Sequence, residues 1–173
     1  LDPNGKLVYQ DEAAIKDIVP LDEKNFAFAA SGTCGFLSFG NTKTDWKKIF
    51  PPQIILGTQN TLINKVRGKS VVFDAENLRL YFATNKGLFV VSKNKTQEIL
   101  YRGKSVYISR LVQYGSQIFA LTQNNKLLQV KDFQIIQPSI FQPLSQNKIL
   151  NIRMINERLY LNSDNGIFVY DFK

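Results

Sequence analysis

Two short basic segments carry the residues best suited to chemistry: Arg67–Gly68–Lys69–Ser70 and Arg102–Gly103–Lys104–Ser105. An arginine fork makes paired hydrogen bonds to carboxylate, sulfate or phosphate, lysine adds a point charge, and glycine lets a ligand approach the backbone. The pattern describes an anion-binding face with Arg67, Lys69, Arg102 and Lys104 as its ligand contacts. Neither segment is a nucleotide-binding phosphate loop, because the glycine required five positions earlier is Ile63 in one and Glu98 in the other. A plainer alternative stands beside this reading: repeated units have similar turns, with glycine for conformation and lysine for solubility.

Other chemistry is narrowed by what the chain lacks. It has no histidine, which removes the commonest general base, metal ligand and triad member. Its single cysteine, Cys34, makes neither an internal disulfide nor a zinc site and reads as a small buried hydrophobe. Fourteen carboxylates are present, but nothing in the sequence sets two together as a glycosidase pair. No metal site, cofactor or catalytic residue is expected, and the chain reads as a non-enzyme. The formal charge is +8, yet the lysines are scattered with no block of five or six. With the aromatic residues on apolar runs, that distribution describes a solvated basic surface and no nucleic-acid interface. Trp46, Tyr107 and Tyr114 read as packing or strand-face residues, and Asn94–Lys95–Thr96 as a chance glycosylation triplet.

The elements that position these residues come from an internal repeat. Arg79–Leu80–Tyr81–Phe82–Ala83–Thr84–Asn85–Lys86–Gly87–Leu88–Phe89–Val90–Val91 matches the segment 158–170 at six of thirteen positions, offset by 79 without a gap. Weaker copies begin at Phe26 and Ile118. Anchoring hydroxyls fall at Ser31, Thr84, Thr122 and Ser163, spaced by 53, 38 and 41 residues. In each copy an apolar, aromatic-rich run reads as a strand, a Ser or Thr opens a polar turn, and a second apolar run completes a hairpin. Near-continuous hydrophobicity implies burial on both sheet faces.

Strand-like segments flank each hairpin: Ile15–Leu21, Val71–Asp74, Tyr107–Gln113 and Leu150–Ile155 ahead of it, and Trp46–Phe50, Thr96–Tyr101 and Phe133–Gln137 behind it. Four strands in about 40 residues is the period of a β-propeller blade. The expected fold is therefore all-β, a propeller of four antiparallel blades near 15–50, 70–101, 107–137 and 149–173. Lys6–Gln10 is a spare strand able to complete the last blade and close a ring. A small four-bladed ring and part of a larger propeller both fit. The chain begins at Leu1 rather than Met, which reads as a processed product or an excised piece.

The text Leu80–Leu88, repeated at Leu159–Ile167 and more loosely at Ile118–Leu127 and Phe26–Phe36, resembles two-component regulator propeller repeats. Those repeats build the periplasmic sensor regions of hybrid histidine kinases. This chain has Tyr81, Phe119 and Tyr160 where the family often has tryptophan, and Ala83 and Asn162 where it often has glycine. The resemblance implies an extracytoplasmic, periplasmic ligand-sensing module of a two-component signalling protein. Its ligand would be a carbohydrate or another anionic small molecule, and it would meet a membrane only through segments outside this chain. The alternative is a propeller scaffold that binds a protein partner or itself.

Overall fold

Near-continuous hydrophobicity buries both faces of the two central sheets, and the architecture follows from that. The computed structural model describes residues 14–38, 65–92 and 95–172. They form four antiparallel sheets in chain order. The first contains β1 (Ile15–Pro20), β2 (Asn25–Ala30) and β3 (Cys34–Ser38). The second contains β4 (Gly68–Asp74), β5 (Arg79–Thr84), β6 (Leu88–Ser92), β7 (Lys95–Tyr101) and the two-residue β8 (Lys104–Ser105). The third contains β9 (Ile108–Tyr114), β10 (Gln117–Thr122), β11 (Leu127–Lys131) and β12 (Gln134–Ile136). A short 3-10 helix, Ser139–Leu144, leads to the fourth, with β13 (Ile149–Ile155), β14 (Arg158–Ser163) and β15 (Gly166–Asp171).

These are the four blades expected from the repeat, with a few differences. Strand β8 and the 3-10 helix carry no repeat signal. The inner strand of the second blade starts at Gly68, not Val71. The segments Lys6–Gln10 and Trp46–Phe50 lie outside the described residues.

Alternate residues of each strand face opposite neighbours. Val71 and Phe73 of β4 pack with Ala27, Ala29 and Cys34 of the first blade. Val72, on the opposite face, packs with Ile108, Leu111 and Ile118 of the third. Phe119, Leu121 and Val112 then join Ile152, Leu159 and Leu161 of the fourth. Phe119 sits 5.2 Å from Phe172 and 5.8 Å from Phe141, so the 3-10 helix fastens the last interface. The other face of the fourth blade is open, with Ile167 71% and Val169 50% exposed.

Each inner strand carries a β-bulge at the same place, near its start. The pairs Ile15↔Ala30, Gly68↔Thr84, Ile108↔Thr122 and Ile149↔Ser163 are therefore equivalent. This register corrects the first anchor: Ala30, and not Ser31, stands where the others have a hydroxyl. In the other blades the hydroxyl closes the turn, as Thr84 Oγ1 does by donating to Gly87 O at 3.0 Å and accepting from Lys86 N at 3.0 Å.

A bulge leaves a backbone N–H without a ladder partner, and here the preceding blade supplies one. The Val71 N–H donates to Asp17 Oδ2 of the first blade at 3.1 Å, and Ser70 Oγ donates to the same oxygen at 2.5 Å. Ser70 Oγ in turn accepts from Leu111 N of the third blade at 3.0 Å. The bridge ends there, because the next equivalent residue is Arg110, whose side chain has no acceptor. Ile152 N is met instead by Asn151 Oδ1 of its own blade at 2.9 Å. Ser70 is 1% exposed, so Ser70→Ala strands the Leu111 N–H away from water. Urea denaturation should show a loss of about 1–3 kcal/mol, and an unchanged midpoint would contradict the bridge.

Candidate ligand-binding face

Antiparallel strands send alternate connections to opposite ends of a blade, which sorts the charged residues into two faces. One face, here called upper, holds the starts of the inner strands, the β2–β3, β5–β6, β10–β11 and β14–β15 turns, and the connections between blades. Its starts are clipped to its turns by one repeated bond. Asn85 N donates to Arg67 O at 2.9 Å, Gln123 N to Tyr107 O at 2.9 Å, Asp164 N to Lys148 O at 3.1 Å, and Ser31 N to Ala14 O at 3.0 Å. Arg67 N also donates to Asn85 Oδ1 at 2.8 Å. The Arg67 backbone is thus held on both sides while the residue stays exposed.

The charges divide unevenly between the faces. The upper face carries Lys16, Arg67, Lys69 and Lys86, and further along Arg102, Lys104, Lys126 and Lys148. Against these, among the described residues, stand Asp17, Asp164 and the half-buried Glu98, whose Oε1 lies over Gly87. The lower face holds the Asp22, Asp74, Glu76, Asp132, Glu157 and Asp171 carboxylates, several of them occupied. Asp74 accepts from Asn77, Asp171 pairs with Arg158 at 3.2 Å, and Asp132 pairs with Arg79 at 3.9 Å. Among the described residues the net positive charge is concentrated on one face, a field that attracts anions.

Both Arg-Gly-Lys-Ser segments lie on this upper face, but their local structures differ. Gly68 is inside β4, where an added Cβ would stand 2.9 Å from Ala29 Cβ, Ala30 N and Cys34 Sγ. Its role is close blade packing, so the expectation that it opens the backbone to a ligand does not hold there. Arg102 and Gly103, with φ of 53° and 74°, form the tight turn between β7 and β8, and an added Cβ at Gly103 would meet nothing. Two groups of cations result. Lys16, Arg67 and Lys69 gather at the junction of the first and second blades. Lys16 has its pKa lowered by partial desolvation and by the Lys69 and Arg67 charges.

The second group, Arg102 and Lys104, lines an open cavity of about 490 Å³ between the second and third blades. Tyr101, Tyr107, Gln123 and Lys126 complete its working wall. The Arg102 guanidinium lies 5.1 Å from the Tyr101 ring centroid, a cation–π contact that steadies both groups. Tyr107 is 48% exposed and precedes β9, which corrects its reading as a packing residue. Tyr114 does pack, stacked on Phe172 at 5.4 Å. The sequence reading missed Lys16, which the register aligns with Lys69. Tyr101 and Lys126 were also missed, because blade pairing alone brings them to the cavity.

Cys34 is fully buried, and burial pushes its thiol up to about 12, in keeping with a small core residue. Trp46 and Asn94 lie outside the described residues. Among the described residues no three His, Cys, Asp or Glu side chains gather as a metal site, and no helix is long and apolar enough to cross a membrane.

Four successive antiparallel sheets packed face to face, with inner strands side by side, make the chain a β-propeller array. Among solved structures it is similar to the extracellular domain assigned to the hybrid two component system BT4673 of B. thetaiotaomicron. That match has 18% identity and a TM-score of 0.58, and covers 94% of this chain and 22% of the other. It is also similar to PorZ, a surface component of the type-IX secretion system of Porphyromonas gingivalis, at 11% identity and TM-score 0.59, over 92% of this chain and 21% of PorZ. The WD40 propeller domain of Doa1 matches at 12% identity and TM-score 0.56, over 94% of this chain and 53% of that one. The chain therefore spans about a fifth of the length of the two bacterial proteins. No protein-family model and no curated protein matches the sequence.

The two glycines separate packing from ligand chemistry. Gly68→Ala should cost about 1–3 kcal/mol through overpacking at the blade junction, and Gly103→Ala about 1 kcal/mol through its positive φ. Thermal unfolding that ranks them in the opposite order would contradict this assignment.

Proposed function

We propose that this chain is the ligand-sensing part of an extracytoplasmic two-component receptor, positioned on the periplasmic side of the membrane. Its ligand is an acidic carbohydrate. The observation that carries the reading is the open cavity between the second and third blades, set in the basic face. Tyr101 and the half-exposed Tyr107 offer aromatic surface for the apolar side of a sugar ring, and Gln123 and Asn124 offer amide hydrogen bonds. Arg102, Lys104 and Lys126 supply the attraction for an acidic group. The fold likeness to an extracellular two-component domain supports the same reading. So does the resemblance of the Leu80–Leu88 repeat text. The ligand binds without being transformed, its free energy serving to bias the geometry of a larger receptor.

A second reading, a scaffold for protein association, is favoured by the open face of the fourth blade, where exposed Ile155, Ile167 and Val169 share the surface with Tyr160, Arg153 and the Arg158–Asp171 pair. One set of measurements separates the two. Calorimetric titration with acidic and neutral oligosaccharides should detect binding of the acidic ones, weakened about tenfold by Tyr107→Ala or Lys104→Ala. A chain that binds no oligosaccharide and sediments as a dimer through the fourth blade would overturn the sensor reading in favour of the scaffold.

A further inference from the structure

The cluster at the junction of the first two blades lies outside the cavity just described and has its own geometry. Lys16 and Lys69 are equivalent bulge residues on adjacent inner strands, so a single backbone device presents both ammonium groups at the upper end of the strands. Arg67 comes from the segment leading into β4, its backbone clamped by Asn85. The bulges themselves are locked together by Asp17, Ser70 and Val71. The three stems therefore leave a rigid base, which lowers the entropy cost of gathering their heads on one group.

These cations also lack neutralisation. Among the described residues none of the three forms an ion pair. The neighbouring carboxylate Asp17 is used on both oxygens: Oδ2 accepts from Ser70 and Val71, and Oδ1 accepts from Ile18 N at 3.1 Å. Desolvation, together with the charges on Lys69 and Arg67, makes the Lys16 ammonium easier to deprotonate. An anion brought from outside relieves the mutual repulsion.

We infer that Lys16, Arg67 and Lys69 form a receptor for one tetrahedral oxyanion, a sulfate or phosphate ester, at the upper end of the β1–β4 pair. Three cationic donor groups on neighbouring strand starts suit a group with three free oxygens, whereas a carboxylate offers two in one plane. The site stands without the sensor reading and without the blade 2–3 cavity. Such an ester comes from either of two sources, a sulfated or a phosphorylated sugar, and the shared chemistry is what the cluster recognises.

The test titrates the whole chain at low ionic strength with a monosaccharide 6-sulfate, its 6-phosphate and the unmodified sugar. At least one ester should bind and the unmodified sugar should not. Binding by the sulfate alone or the phosphate alone identifies the source and supports the site. Lys16→Ala and Lys69→Ala should each weaken ester binding about three- to tenfold, while Lys131→Ala, on the lower face, leaves it unchanged. A second measurement needs no variant: NMR titration of the lysine side chains should show Lys16 losing its proton at higher pH with ester than without. Equal binding of esters and sugar, wild-type affinity in both lysine variants, or an ester that leaves the Lys16 titration unmoved would overturn the inference.

Discussion

The hydrogen-bonded bridge from Asp17 through Ser70 to Leu111 is the constraint on which the rest of this structure depends. A bulge near the start of every inner strand frees a backbone N–H in a place where water is scarce. In the second and third blades that N–H problem is solved across the blade boundary, by an acceptor that the preceding blade's inner strand holds in position. The apolar clusters give the blades most of their attraction, but they are non-directional. The bridge supplies what they lack, a fixed register between neighbouring inner strands, because an acceptor displaced by one residue leaves a buried donor unpaired.

That register has a consequence for the surface. Once the bulges are locked side by side, the residues just before the bridge positions also fall into line, and in the first two blades these are Lys16 and Lys69. The third and fourth blades have Ser109 and Leu150 there. A structural repeat has thus been made chemically unequal around the axis: cationic at one junction, aromatic and amide-rich at the next, and a mix of exposed aliphatic and charged residues on the outer face of the last blade. The lower face shows the opposite habit, with its carboxylates turned to capping turns and pairing with arginines.

The four blades were legible because each hairpin carries a dense local signal, a strand run, a hydroxyl and a Gly- or Asn-bearing turn, and such signals survive substitution of individual residues. Arg67, Lys69, Arg102 and Lys104 were legible as a group on one face, since alternating strand directions require it. What was not legible depends on pairing rather than on local text. Lys16 aligns with Lys69 only when the bulge is known. The packing role of Gly68 depends on Ala29 and Cys34 lying opposite it, and Tyr107 reaches solvent because β9 begins one residue later. Strand β8 is two residues long and has no period to detect.

The central claim is that the upper face of this propeller recognises an anion and the lower face does not. The most direct measurement is amide NMR mapping during titration with an acidic oligosaccharide, which reads every backbone position at once. The account predicts shifts concentrated at upper-face residues such as Lys69, Asn85, Tyr107 and Gln123, with Asp74, Glu76 and Glu157 unmoved. Shifts confined to the lower face, or spread evenly over both, would contradict it.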